Sequence, residues 1–153
     1  MPRRPCRRSA TPDSAGGPIY WDASAVLSVL VADVHSTKAS AAARSSGVHL
    51  LSTLASAEAF AIVARLEREG SLRTVLANDA RDLIVNGPWR RLALQPDWKS
   101  IQSLSPRWPL RGANLWHLAL ADTLRRDLPE LKVISFDARL SVASQGIGLQ
   151  VIS

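Results

Sequence analysis

The chain has 153 residues, 46% of them hydrophobic, one cysteine and a formal net charge of +6. That length gives one domain with a real core. No apolar run approaches the roughly 18 residues of a membrane span, and a lone cysteine excludes a disulfide framework and suits a reducing cytoplasm.

The first stretch, MPRRPCRRSATPDSAGG, is basic and rich in Pro, Gly and Ser. It offers almost nothing to bury and has no apolar signal-peptide core, so residues 1–17 are expected to form a disordered basic tail, with no secretory signal. It contains Arg3, Arg4, Arg7 and Arg8 as well as Cys6. The sequence pI of about 10.7 points to a polyanionic partner, but with four charges in the tail the remainder, residues 18–153, is only mildly basic.

After Pro18 short strands and helices alternate. Residues 19–22 form a brief strand, and Ser24 to Ala32 a helix apolar on all sides. A second, Ala/Ser-rich helix over 36–46 is closed by Gly47, and VHLLST (48–53) is the second strand. The periodic helix ASAEAFAIVARLEREG is stopped by Gly70, and another fills 71–85 before the breaker NGP at 86–88. WRRLALQ (89–95) alternates as a third strand. A short helix is expected around 97–104, then a loop, then a helix over 114–127. KVISFD (132–137) is a buried strand, and a short helix, a glycine turn and LQVI complete the chain. Strands and helices alternating at these lengths imply an α/β fold with a mostly parallel sheet covered on both faces.

In such folds ligands bind beyond the carboxyl ends of the strands. Asp22 and Asp137 each follow a strand, Asn114 precedes a helix, and Glu58 sits among Ala, Phe, Ile and Val early in a helix. Each has a plain structural reading: a helix cap for Asp22, Asn114 and Asp137, and an interaction with the helix dipole for Glu58. Taken together they place three acids at one sheet edge, and crowded acids are normally held by a cation. Oxygen ligands without a Cys or His set suit Mg²⁺ or Mn²⁺, which supports phosphodiester hydrolysis.

The stretches IYWDASA, LSTLASAEAFAIVARL, LRGANLWHLALA and ISFDARL occur in order and together resemble PIN-domain ribonucleases, most closely the VapC toxins of toxin–antitoxin pairs. The resemblance spans residues 18–153. It implies a PIN-like three-layer α/β/α sandwich, metal-dependent RNA cleavage in the cytoplasm, a VapB-like antitoxin and a homodimer, with the helices at 24–32 and 55–66 available as its interface. It assigns Asp22, Glu58, Asn114 and Asp137 to the acidic metal positions, and gives Ser24 a supporting hydrogen bond to the first acid.

Asn114 departs from the pattern, which commonly has Asp there. Asn keeps a ligating oxygen but removes a charge and cannot act as a base. A weakly metal-binding variant, an engineered inactivation and a scaffold that has lost catalysis all account for it. The last of these leads to the alternative function, a PIN module that binds RNA or a partner protein without cleaving. Arg111 is the phosphate-contact candidate, with surface exposure as the competing account. His117 reads as a buried structural histidine and Asp122 as a surface acid. Trp21 and Trp116 read as core, whereas Trp89, Trp98 and Trp108 either line a partner groove or close the core. A receiver or phosphatase would need a Lys near the last strand or a nucleophile loop, and neither stands out.

Overall fold

The computed structural model describes residues 16–153. The tail expected over 1–17 therefore lies, up to residue 15 and including Cys6, outside the described residues. In chain order the elements are β1 (Ile19–Trp21), α1 (Ala23–Leu30), α2 (Ser36–Ala43), β2 (His49–Ser52), α3 (Thr53–Arg68), α4 (Thr74–Asn86), β3 (Trp89–Leu92), α5 (Trp98–Leu104), α6 (Gly112–Leu124), β4 (Lys132–Ile134), α7 (Ala138–Gly146) and β5 (Gln150–Ile152). The five strands make one sheet in the order β3-β2-β1-β4-β5, with every pairing parallel.

Strand periodicity builds the layers, because successive side chains point to opposite faces. Ile19, Trp21, Leu51 and Ile134 pack with Ala25 and Val26 of α1, Ala55, Ala59 and Val63 of α3, and Ala77, Ala80 and Ile84 of α4. Their neighbours Tyr20, Leu50 and Val133 face the other way, onto Leu120, Ala121 and Leu124 of α6. A third cluster joins Leu104, Leu118, Ala119, Leu140 and Ala143 of α5, α6 and α7. The inner faces of α1 and α3 are thus taken up by the core, and a dimer through these helices would use outer residues such as the exposed Phe60.

Several boundaries differ from the sequence expectation. The third strand covers Trp89–Leu92 rather than 89–95, because its partner β2 is four residues long and ends where Ser52 caps α3. The strand expected over 132–137 ends at Ile134, opposite the last residue of β1, and Ser135 to Asp137 turn away to serve the sheet edge. The helix expected from 114 begins at Gly112, with Arg111 extended ahead of it and accepting at its carbonyl from the Leu115 N–H. Asn114 is therefore a first-turn residue and not the cap. Gly70 does stop α3, at φ +73°, a conformation that L side chains rarely adopt.

The tryptophans divide. Trp21 is fully buried, donates to His49 Nδ1 at 3.1 Å and meets Trp89 edge-on at 5.0 Å between centroids. Trp108 and Trp116 are partly buried against the core clusters, Trp108 lying so tightly over Gly146 that any β-carbon there would strike its ring. Trp98 is 75% exposed. Asp122 is not near the sheet edge: it accepts from Ser100 at 2.7 Å and pairs with Arg125 at 2.7 Å, tying α6 to α5.

Candidate functional site

Because β1, β2 and β4 are parallel and in register, their last residues, Trp21, Leu51 to Ser52 and Ile134, finish at one edge. Asp22 and Asp137 start the helices that leave that edge. Both are N-caps: Asp22 Oδ1 accepts from the Ala25 N–H at 2.9 Å, and Asp137 Oδ1 from the Leu140 N–H at 2.9 Å. The capping role and a site role are therefore compatible.

Asp22 is the centre of a hydrogen-bond cluster. The Ser24 hydroxyl approaches its two oxygens at 2.7 and 2.9 Å and accepts from the Phe136 N–H at 2.9 Å. Ser135, fully buried, donates to Asp22 Oδ2 at 2.7 Å and accepts from the Asp137 N–H at 3.1 Å. Ser135 thus joins the first acid to the backbone of the last. Nothing in the resemblance assigned it a role; the signal available was its position two residues before Asp137, on a strand that ends early. Asp22 is only 3% exposed, and burial pushes its carboxyl above the ordinary carboxylate range, a shift partly opposed by the bonds from Ser135, Ala25 and Ser24.

Glu58 is held elsewhere. It lies beyond the first turn of α3, which Ser52 caps, so the helix dipole does not explain it. Its carboxylate instead meets His117 Nε2 at 2.7 Å. His117, 2% exposed, meets the Tyr20 hydroxyl at 2.6 Å through Nδ1, and that hydroxyl lies 3.1 Å from Ser52 Oγ. His117 is buried and hydrogen-bonded as expected, and its partners make it the support of Glu58. Burial pushes the Tyr20 phenol well above its ordinary value, so it stays protonated.

Asn114 and Asp137 line a cavity of about 310 Å³ with Arg111, Ala138 and Arg139. Asp22, Glu58, Asn114 and Asp137 all supply hard oxygen donors of the kind Mg²⁺ takes. Three protons, from Ser24, Ser135 and Ala25, serve the roughly four acceptor directions of the Asp22 carboxylate and leave one free. The donor chemistry fits such an ion, but the cluster is not preformed. Among the described residues no three His, Cys, Asp or Glu side chains are arranged to hold a metal.

Against known structures, the chain is similar to PAE2754 from Pyrobaculum aerophilum, at 14% identity and a TM-score of 0.62 over 88% of this chain and 89% of that one. It is also similar to VapC20 of Mycobacterium tuberculosis, a toxin that cleaves the sarcin-ricin loop, at 15% identity and a TM-score of 0.57 over 82% of this chain and 94% of that one. The fold is PIN-like. At these identities the likeness establishes the PIN-like architecture and no more. No protein-family profile matches the chain, and no curated protein matches its sequence. No helix among the described residues is long and apolar enough to cross a membrane.

Two predictions follow from the Asp22 cluster. Ser135→Ala removes a donor to Asp22 and leaves the Asp137 N–H without its acceptor, at a cost of about 1–3 kcal/mol. The thermal midpoint should fall by roughly 2–12 °C; an unchanged midpoint would show that the bridge contributes nothing.

Asp22→Asn tests the raised carboxyl. A group whose folded pKa is raised contributes stability below the ordinary carboxylate value, and that contribution is lost as pH rises through the folded one. The variant cannot ionise. In chelator, its midpoint should therefore gain on wild type as pH is raised from acid to neutral, and a gap that does not change with pH would contradict a raised Asp22.

Proposed function

We propose that the protein is a metal-dependent endoribonuclease acting in the cytoplasm as the toxin of a toxin–antitoxin pair. The observation that carries the reading is Asp22 at the end of the central strand of a PIN-like sheet, tied by Ser24 and Ser135 to the segment that presents Asp137. The metal, Mg²⁺ or Mn²⁺, would be held by Asp22, Asn114, Asp137 and Glu58, and would supply an activated water and neutralise the leaving oxygen. Ser24 and Ser135 orient Asp22, and His117 orients Glu58. Arg111 faces the cavity beside Asn114 and would take a phosphate of the strand. A VapB-like antitoxin and a homodimer belong to the same reading, as what the sequence resemblance to VapC toxins implies.

A second reading, a PIN module that binds RNA or a partner protein without cleaving it, is favoured by Asn114 and by the lack, among the described residues, of a preformed acid trio. Incubating an RNA pool with the protein in Mg²⁺, in Mn²⁺ and in chelator separates the two. Cleavage that needs the metal and is lost in Asp22→Asn and Asp137→Asn supports the nuclease. Intact RNA with both metals leaves the binding module.

A further inference from the structure

The cavity at the sheet edge carries a charge opposite to that of a cation site. Its walls are Arg111, Asn114, Asp137, Ala138 and Arg139. Two guanidinium groups face one carboxylate and one neutral amide, a balance of +1 from +2 and −1. Arg111 sits at the N-cap of α6 and Arg139 is the second residue of α7, so the two cations approach from different helices. The positive ends of those helices add to the same sign.

Both arginines are exposed, and among the described residues neither forms an ion pair or a side-chain hydrogen bond. Other arginines of the fold are engaged: Arg81 pairs with Glu67, Arg125 with Asp122 and Arg126 with Asp97. The unpaired cations thus include the two beside Asn114. Asp22 does not offset them at the cavity wall, because it is buried and turned onto Ser24, Ser135 and the Ala25 N–H. Glu58 is engaged with His117.

We propose that the Arg111–Asn114–Arg139 cavity is a phosphodiester subsite that binds single-stranded RNA without a divalent metal, with Arg139 as a second phosphate contact. The proposal rests on the crevice being the RNA site. A carboxylate at position 114 would cancel the net charge of the walls. Asn114 leaves it in place, and its amide N–H₂ can donate to a phosphate oxygen where Asp would repel it. The substitution that weakens the cation site is the one that makes the anion site, so strand binding and metal binding draw on opposite demands at this residue.

The test is fluorescence anisotropy of a short, labelled, mixed-sequence single-stranded RNA with the full chain in chelator, across a salt series. Wild type should bind. Arg111→Gln and Arg139→Gln should each weaken binding by about tenfold and reduce the slope of log K against log salt by about 0.7–1, the loss of one phosphate contact. Asn114→Asp should weaken it as well. Arg68→Gln, at the far end of α3, should leave affinity and slope as in wild type. Binding that appears only with Mg²⁺, or salt slopes in Arg111→Gln and Arg139→Gln equal to wild type, would overturn the proposal. Cleavage is scored separately with Mg²⁺. Chelator-resistant binding without cleavage removes the nuclease reading and keeps the subsite, whereas cleavage without chelator-resistant binding does the reverse.

Discussion

Trp21→Ala is expected to lower the thermal midpoint by roughly 6–20 °C. The side chain is fully buried between the sheet and the α1, α3 and α4 layer, edge-on to Trp89. Truncating a core Trp costs about 3–5 kcal/mol, and each kcal/mol moves the midpoint of a chain this long by about 2–4 °C. The cost has a polar part as well. Trp21 Nε1–H donates to His49 Nδ1, which places the His49 proton on Nε2, where it reaches the Ser45 carbonyl at 3.1 Å. Removing the indole leaves Nδ1 buried without a donor. Trp98→Ala, at a site 75% exposed, should stay within about 0.5 kcal/mol of wild type. Thermal melts of the two variants check this, and equal losses would mean that the core is not organised around Trp21.

The second large effect is expected at Asn114. Asn114→Asp places a second carboxylate beside Asp137 in a cavity that also holds Arg111 and Arg139. Without metal, the arginines offset the repulsion between the acids, so the apo midpoint should move little. With Mg²⁺ the added carboxylate should tighten binding. If free Mg²⁺ then exceeds the dissociation constant by about 100-fold, linkage stabilises the fold by about 2.7 kcal/mol, a midpoint gain of roughly 5–11 °C. The same variant should cleave RNA faster than wild type at low Mg²⁺. A metal-dependent midpoint shift identical to wild type would show that position 114 does not face the ion.

The alternation of short apolar runs with periodic helices made the parallel sheet legible from residues alone, and the four ordered stretches gave its PIN-like character. What could not be read was what each acid touches. Glu58 reads as a metal-site acid with the helix dipole as its plain alternative, and neither reading names His117, which lies 59 positions away on α6 and meets its carboxylate. Ser135 reads as part of a strand, because nothing local says that β4 stops when β1 runs out of partners. The same limit applies to the boundaries: β3 is cut to the length of its neighbour, a tertiary effect that overrides its own alternation. Arg139 was invisible as a site residue for a different reason, since an arginine in the first turn of a short helix looks like any solvated surface charge.

The sheet order has a consequence for how the chain is made. β1 lies in the middle, and one of its two neighbours, β4, is separated from it by more than 110 residues: Ile19 pairs with Lys132 and Trp21 with Ile134. As the polypeptide leaves the ribosome, β1, β2 and β3 can assemble with α1, α3 and α4 while the other edge of β1 stays open. Such an edge is a template for pairing with another chain until β4 arrives. Ser135 and Asp137 come with β4, so Asp22 has neither of these neighbours on the nascent chain. The carboxyl end of the sheet can acquire its full set of side chains only after β4 has been made, and a product truncated before Lys132 would leave Asp22 at the end of a strand with one open edge, prone to pair with another chain and lacking Ser135 and Asp137.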